Sequence, residues 1–221
     1  MVDLLKGDTR LIIGVCRKHE LLRNQAAYVL ATAYWETART MKPVREYGGE
    51  KYLQSKPYYP FVGMGYVQLT WEANYRKASQ ILGVDFIGNP KLLLEPGHAS
   101  EILVRGMMGG WFTGKMLSDY ITLQRSDFVN ARRIVNGVDK AQEIAALAHE
   151  YDALLKAGGY GEESTTGEES TAREPSIPKP PTSRTDLPVT AQKNTSKGGL
   201  IGLIIAAIAA AAAIFFGITG D

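Results

Sequence analysis

The chain is poor in the residues that hold metals or build disulfides: one cysteine, Cys16, and three histidines in 221 residues. A single thiol excludes an intramolecular disulfide, and a place in a helix core suits it best. His19, His98 and His149 lie far apart, and no HExxH or CxxC spacing is present, so no metal and no cofactor is expected. An excess of charge of one sign is missing as well. The formal net charge is +2, with no clustered Lys/Arg stripe, so no nucleic-acid partner is expected. The opening residues, Met1 to Lys6, lack the apolar run of a signal peptide.

Polar residues are absent from one stretch altogether. Leu200 to Ile218 consists only of Leu, Ile, Ala, Gly and Phe, with no charged or polar side chain. At ~1.5 Å per residue it reaches roughly 28 Å, close to the ~30 Å hydrocarbon thickness of a bilayer. A soluble surface helix would show a polar face, and this one shows none. The sequence therefore divides into a globular domain at 1–158, a linker at 159–197 and a membrane helix at 198–219. The linker is rich in Gly, Glu, Ser, Thr and Pro and cannot bury enough surface to offset its ordering entropy. The expected arrangement is single-pass and tail-anchored. Lys193 and Lys197 before the span put the globular domain on the cytoplasmic side of the membrane in which it is made.

Within the globular part, apolar spacing predicts a mainly α domain. Asn24 can cap a helix running to about Arg39, with Ala27, Leu30, Ala31 and Tyr34 inward. A second helix follows Pro96, with a stripe of Ala99, Ile102, Leu103, Gly106 and Met107 ending at Gly109-Gly110. Ser126 can cap a third, containing Phe128, Ala131 and Ile134. A fourth runs from about Asp139 to Gly158, with Ala141, Ile144, Ala148, Tyr151 and Leu155 inward. Residues 40–75 lack helical period and form a small β or irregular excursion, where function tends to sit.

That excursion holds the segment from Pro60 to Tyr75, PFVGMGYVQLTWEANY. Its glycines allow a tight turn or close approach of a ligand. Tyr66 to Thr70 alternates as a strand would, with Tyr66, Gln68 and Thr70 on one face and Val67 and Leu69 on the other. Amides and a hydroxyl beside aromatic rings suit a sugar. A Gly-rich turn into a half-buried strand accounts for the same residues without a ligand.

Two carboxylates accompany it. Glu36 lies at the end of the first predicted helix, beside Trp35 and on the flank of an apolar stripe. Partial burial and the negative end of the helix dipole would both favour its protonated form, as a general acid requires. A solvated glutamate in the last turn is the plain alternative. Glu46 follows Pro43 and precedes a Gly pair, on a loop that can face the helix end. One protonated and one ionised carboxyl are the minimum for cleaving a glycosidic bond; a surface ion pair of Glu46 with Arg45 or Lys42 is the alternative.

The order Trp35-Glu36-Thr37, then Pro43 to Gly48, then Gly63-Met64-Gly65-Tyr66-Val67-Gln68-Leu69-Thr70 with Asn74-Tyr75, resembles glycoside hydrolase family 19. That family holds plant-type chitinases and a bacteriophage and bacterial branch of lysozyme-like endolysins. Trp111 to Lys115 and Asn130-Ala131-Arg132-Arg133-Ile134-Val135-Asn136-Gly137 look like the endolysin branch too, so the resemblance spans roughly residues 20–157. It implies a lysozyme-like, α-rich fold with a cleft and inverting hydrolysis of β-1,4-linked N-acetylhexosamine chains. It implies Glu36 as general acid and Glu46, or else Glu50, as the base that activates water. Gln68, Thr70, Asn74 and Asn136 would bind sugar or position that water, and Tyr66 and Tyr75 would line subsites. Trp35 stands where the family often has His, and Met64 replaces an Arg.

The expectation is a membrane-anchored, peptidoglycan-degrading glycosidase of a bacteriophage, acting in host lysis or in virion entry. Its partners would be peptidoglycan glycan strands, the lipid bilayer through 198–219, and other virion membrane or capsid proteins. It would lie in a virion membrane or the host inner membrane. A non-catalytic wall-binding or structural protein of the same fold is the rival, and a chitinase the third reading.

Overall fold

A computed structural model describes residues 2–161; the predicted membrane helix and nearly all of the linker lie outside the described residues. Among the described residues no helix is long and apolar enough to cross a membrane. The domain is mainly α, with seven α-helices and one two-stranded sheet among the described residues.

The central element is α2 (Arg23–Glu36), in which every residue from Ala26 to Tyr34 is buried. A helix apolar all round belongs inside, and the chain wraps it on several sides. Along it packs α7 (Ala141–Ala157), whose Ala141, Ile144, Ala148, Tyr151 and Leu155 are buried as the spacing predicts. The Tyr34 and Tyr151 rings meet edge to face at 6.2 Å, and Arg23 reaches Asp152 at 2.9 Å. On the other side α1 (Thr9–Lys18), absent from the sequence reading, packs against α5 (Pro96–Met108). Cys16 is fully buried in α1, where burial pushes its thiol far above the usual range.

Glu101 on α5 ties the last two helices together, accepting from Lys18 Nζ at 2.6 Å and lying 2.7 Å from His19 Nε2. Burial alone would raise its pKa, but its hydrogen bonds to Lys18 and His19 outweigh that and hold it below the usual 4.5. A depressed carboxyl contributes stability above its unfolded value and loses it as the pH falls through the folded one. Glu101→Gln should therefore cost about 1 kcal/mol near neutrality, a modest sum because Lys18 is largely exposed. The cost should vanish below the ordinary glutamate range. Thermal melts of both proteins from pH 6 to pH 3 (chosen to bracket that range) check it.

Gly106 shows packing overruling propensity. In the middle of α5, Gly→Ala would ordinarily gain about 1 kcal/mol. Here a Cβ would stand 2.3 Å from Phe112 Cζ and 2.7 Å from its Cε2, and Phe112 is buried in the core. Gly106→Ala should thus destabilise, by about 1–3 kcal/mol, as a fall in the urea midpoint.

Three helix boundaries differ from those read in the sequence. α2 stops at Glu36, short of Arg39, because Thr37 Oγ donates back to the Ala33 carbonyl at 2.7 Å and accepts from Met41 N at 3.0 Å. Ala38, Arg39 and Met41 then take positive φ of 49°, 68° and 54°, which no helix continues. Asn24 does not cap α2; its amide donates to the Thr122 carbonyl and Ser126 Oγ, both at 2.8 Å. The helix expected after Ser126 shrinks to a 3-10 turn at Asn130–Ile134.

The excursion is also built differently. Strand β1 (Val44–Arg45) pairs antiparallel with β2 (Met64–Gly65), Val44 opposite Gly65 and Arg45 opposite Met64. Between them lies a short α3 (Glu50–Gln54). Met64 and Leu69 then exchange backbone hydrogen bonds of 3.1 and 2.8 Å, closing a tight turn with positive φ at Gly65 (89°) and Gln68 (53°). Residues 66–70 are therefore a turn rather than an alternating strand, which explains why Tyr66, Val67, Gln68 and Leu69 are all buried. Then α4 (Glu72–Leu82) begins, inside the range read as non-helical.

Candidate functional site

Glu36 occupies the last residue of α2. Its Oε1 accepts from Arg132 Nη1 at 2.6 Å, and the two side chains are only 8% and 4% exposed. Arg132 comes from the 3-10 turn and is fixed at its other end by donating Nε to the Asp139 carbonyl at 3.1 Å. That turn is itself pinned. Asp127 Oδ1 accepts from Asn130 N at 3.1 Å, and Thr113 Oγ bridges the Arg133 and Ile134 carbonyls at 2.5 and 3.0 Å. So the end of the central helix carries a buried, hydrogen-bonded ion pair, neither a lone partly buried acid nor a solvated glutamate.

Glu46 continues the β1 ladder, its N–H donating to the Gly63 carbonyl at 2.7 Å. Its carboxylate accepts from Tyr58 OH at 2.7 Å and from Gly63 N at 2.9 Å. Burial, followed by this hydrogen bond to Glu46, pushes the Tyr58 phenol far above its usual range, so it stays a donor at any ordinary pH. The predicted alternative, an ion pair with Arg45 or Lys42, is not formed: Lys42 pairs with Asp8 and Arg45 with Glu50.

The remaining predicted residues fall into two groups. Gln68, Thr70 and Asn74 form one hydrogen-bonded run. Gln68 Nε2 donates to the Val44 carbonyl at 2.9 Å, Thr70 Oγ to the Gln68 carbonyl at 2.8 Å, and Asn74 Nδ2 to the Thr70 carbonyl at 2.7 Å. Gln68 Oε1 is buried with no protein partner, the one unspent polar atom of the three side chains that lies inside. Tyr66 and Tyr75, expected to line subsites, are instead core residues, 1% and 0% exposed. Tyr66 donates to Asp8 Oδ2 at 2.9 Å and Tyr75 to the Val62 carbonyl. The turn carries the first inward and the start of α4 the second. Asn136 sits four residues beyond Arg132, half-buried, its N–H on the Arg132 carbonyl at 3.0 Å and its Oδ1 on Gly137 N at 2.8 Å.

Two residues that sequence reasoning gave no role complete this arrangement. Arg132 lies 96 positions from Glu36, and Tyr58 sits in a stretch read only as irregular. A signal for Arg132 existed, since it falls within the Asn130–Gly137 motif. Glu50, the alternative second carboxylate, lies elsewhere. It accepts from Tyr59 OH at 2.9 Å and Arg45 Nη2 at 3.1 Å, and these two bonds, Tyr59 first, hold its pKa below the usual value. With Arg45, Tyr59, Met64 and Lys91 it lines a groove of about 700 Å³ that neither Glu36 nor Glu46 lines.

No protein-family model, curated protein or solved structure matches the chain.

Proposed function

We propose that the chain is a glycosidase that hydrolyses β-1,4 bonds of peptidoglycan with inversion, on a lysozyme-like domain, with Glu36 as general acid and Glu46 as base. The observation that carries the reading is the buried Glu36–Arg132 pair at the end of the central helix. Taking two charges out of water costs several kcal/mol each, and such pairs are weak contributors to stability. A chain that keeps one, together with a second carboxylate fixed by Tyr58 and Gly63, gains chemistry from it. The resemblance of the surrounding motifs to glycoside hydrolase family 19 names that chemistry.

Each residue then has a defined task. Glu36 takes up a proton as substrate enters and delivers it to the glycosidic oxygen, and the carboxylate left behind returns to its ion pair with the Arg132 guanidinium. A preorganised cation aimed at developing charge is the most effective kind of transition-state support. Glu46, held by Tyr58 and Gly63, spends two of its roughly four acceptor positions on the protein. The others are available to a water attacking the far face of the sugar. Inversion requires the carboxyl groups ~6.5–9.5 Å apart, leaving room for that water. Residues 198–219 would anchor the enzyme in a virion membrane or the host inner membrane.

Incubating the full-length chain with purified sacculi should release reducing ends, whose first-formed anomer, followed by NMR, is α. A β product would exclude inversion. The second reading is a wall-binding protein without turnover, favoured by Tyr66 and Tyr75 turning into the core and away from any ligand. Binding to sacculi with no reducing ends released would decide for it. Faster cleavage of chitin oligomers than of sacculi would instead mark a chitinase.

A further inference from the structure

The groove beside β1 is lined by neither of the proposed catalytic carboxylates. Neighbouring side chains of an extended strand point to opposite faces. Glu46 turns to Tyr58 and Gly63, whereas Arg45 turns to Glu50, on the groove wall. At about 700 Å³ the space falls within the ~300–1,000 Å³ typical of ligand sites.

Its chemistry restricts the occupant. Its lining includes the apolar Met64 and Leu94. Part of it is preorganised: Glu50 is held by both Arg45 and Tyr59, and Arg45 spends a single N–H on it. Two further lining residues carry unspent charges. Lys91 is exposed and joins none of the ion pairs among the described residues. Glu95, 59% exposed, makes only a loose 3.4 Å contact with His98. A purely anionic ligand would meet Glu50 and Glu95, and an uncharged glycan would leave Lys91 and Glu95 desolvated without return. A short peptide with small aliphatic side chains, a carboxylate and an ammonium satisfies the charged and the apolar lining together.

We infer that this groove is a second binding site, for the peptide stems that peptidoglycan carries on its glycan strands. The inference rests on the reading of the cell wall as the target. Bound there, a stem would set the register of its glycan strand against Glu46, which adjoins Arg45 in the chain.

The test is calorimetric titration of the full-length protein with the stem tripeptide L-alanyl-γ-D-glutamyl-meso-diaminopimelate, with a neutral N-acetylglucosamine tetramer alongside. The tripeptide should bind, and both Lys91→Glu and Glu95→Lys should weaken it at least tenfold. Both side chains are exposed, so unchanged melting temperatures certify the variants. No tripeptide binding, or binding that survives both charge reversals, overturns the inference. So does a tetramer that binds and loses affinity in the same two variants. Release of reducing ends from sacculi is measured in parallel. A protein that cleaves sacculi but ignores the tripeptide keeps the glycosidase reading and loses the groove. One that binds the tripeptide through Lys91 and Glu95 but cleaves nothing keeps the groove and loses the glycosidase.

Discussion

Glu36→Gln is expected to slow the release of reducing ends from peptidoglycan by about 10²–10⁴-fold, the usual contribution of a positioned general acid. Gln keeps the shape and can still accept from Arg132, but it has no proton to give. A folded Glu36→Gln protein with wild-type turnover would remove Glu36 from the mechanism. The comparison needs care, because the same substitution leaves the Arg132 guanidinium buried without a counter-charge. Loss of activity must therefore be read against circular dichroism and a melting curve of the variant, and against Glu46→Gln, which strands no buried cation.

That stranded charge is the source of the second large effect. Arg132→Met should cost about 3–5 kcal/mol, since it leaves the Glu36 carboxylate desolvated and alone at the end of the central helix. Glu36→Gln with Arg132→Met removes both charges and should recover most of that loss. The double variant should still be inactive. Urea denaturation of the four proteins gives the coupling energy directly. Strict additivity would mean that the two groups do not interact as the 2.6 Å contact implies. If catalysis returned with stability, Glu36 would be a structural residue only.

These experiments bear on how much of the molecule the sequence discloses. The buried faces of α5 and α7 were legible because their apolar spacing is regular and each ends at glycine. α2 was legible in its core and misplaced at both ends. Its stop depends on the Thr37 hydroxyl and on positive φ at Ala38, Arg39 and Met41, where no glycine announces it. The turn at 65–68 escaped for a related reason. Gln68 takes a left-handed conformation, and a glutamine gives no hint of that, so a run that alternates in type was read as a strand. Asn24 makes the limit plain: it has the chemistry of a cap, but two partners about a hundred residues away claim its amide.

The candidate site divides along the same line. Glu36 and Glu46 could be singled out from local context and from motif resemblance. Their partners could not be assigned that way, since pairing is decided by which turn packs where. Tyr66 and Tyr75 failed as surface residues because aromatic rings near glycines suit a cleft and a core equally well, and burial chose the core.

The separation of 96 positions between Glu36 and Arg132 has a consequence for assembly. As the chain leaves the ribosome, α2 and the small sheet can form long before the 3-10 turn exists. Until then Glu36 has no cation to enter the interior with, and its carboxylate favours water. Closing that gap requires the Thr113 bridge and α7 to dock, since they hold the turn in place. The ion pair is thus among the last contacts available to the nascent domain, and the proposed catalytic apparatus is incomplete in any chain that stops short of residue 132.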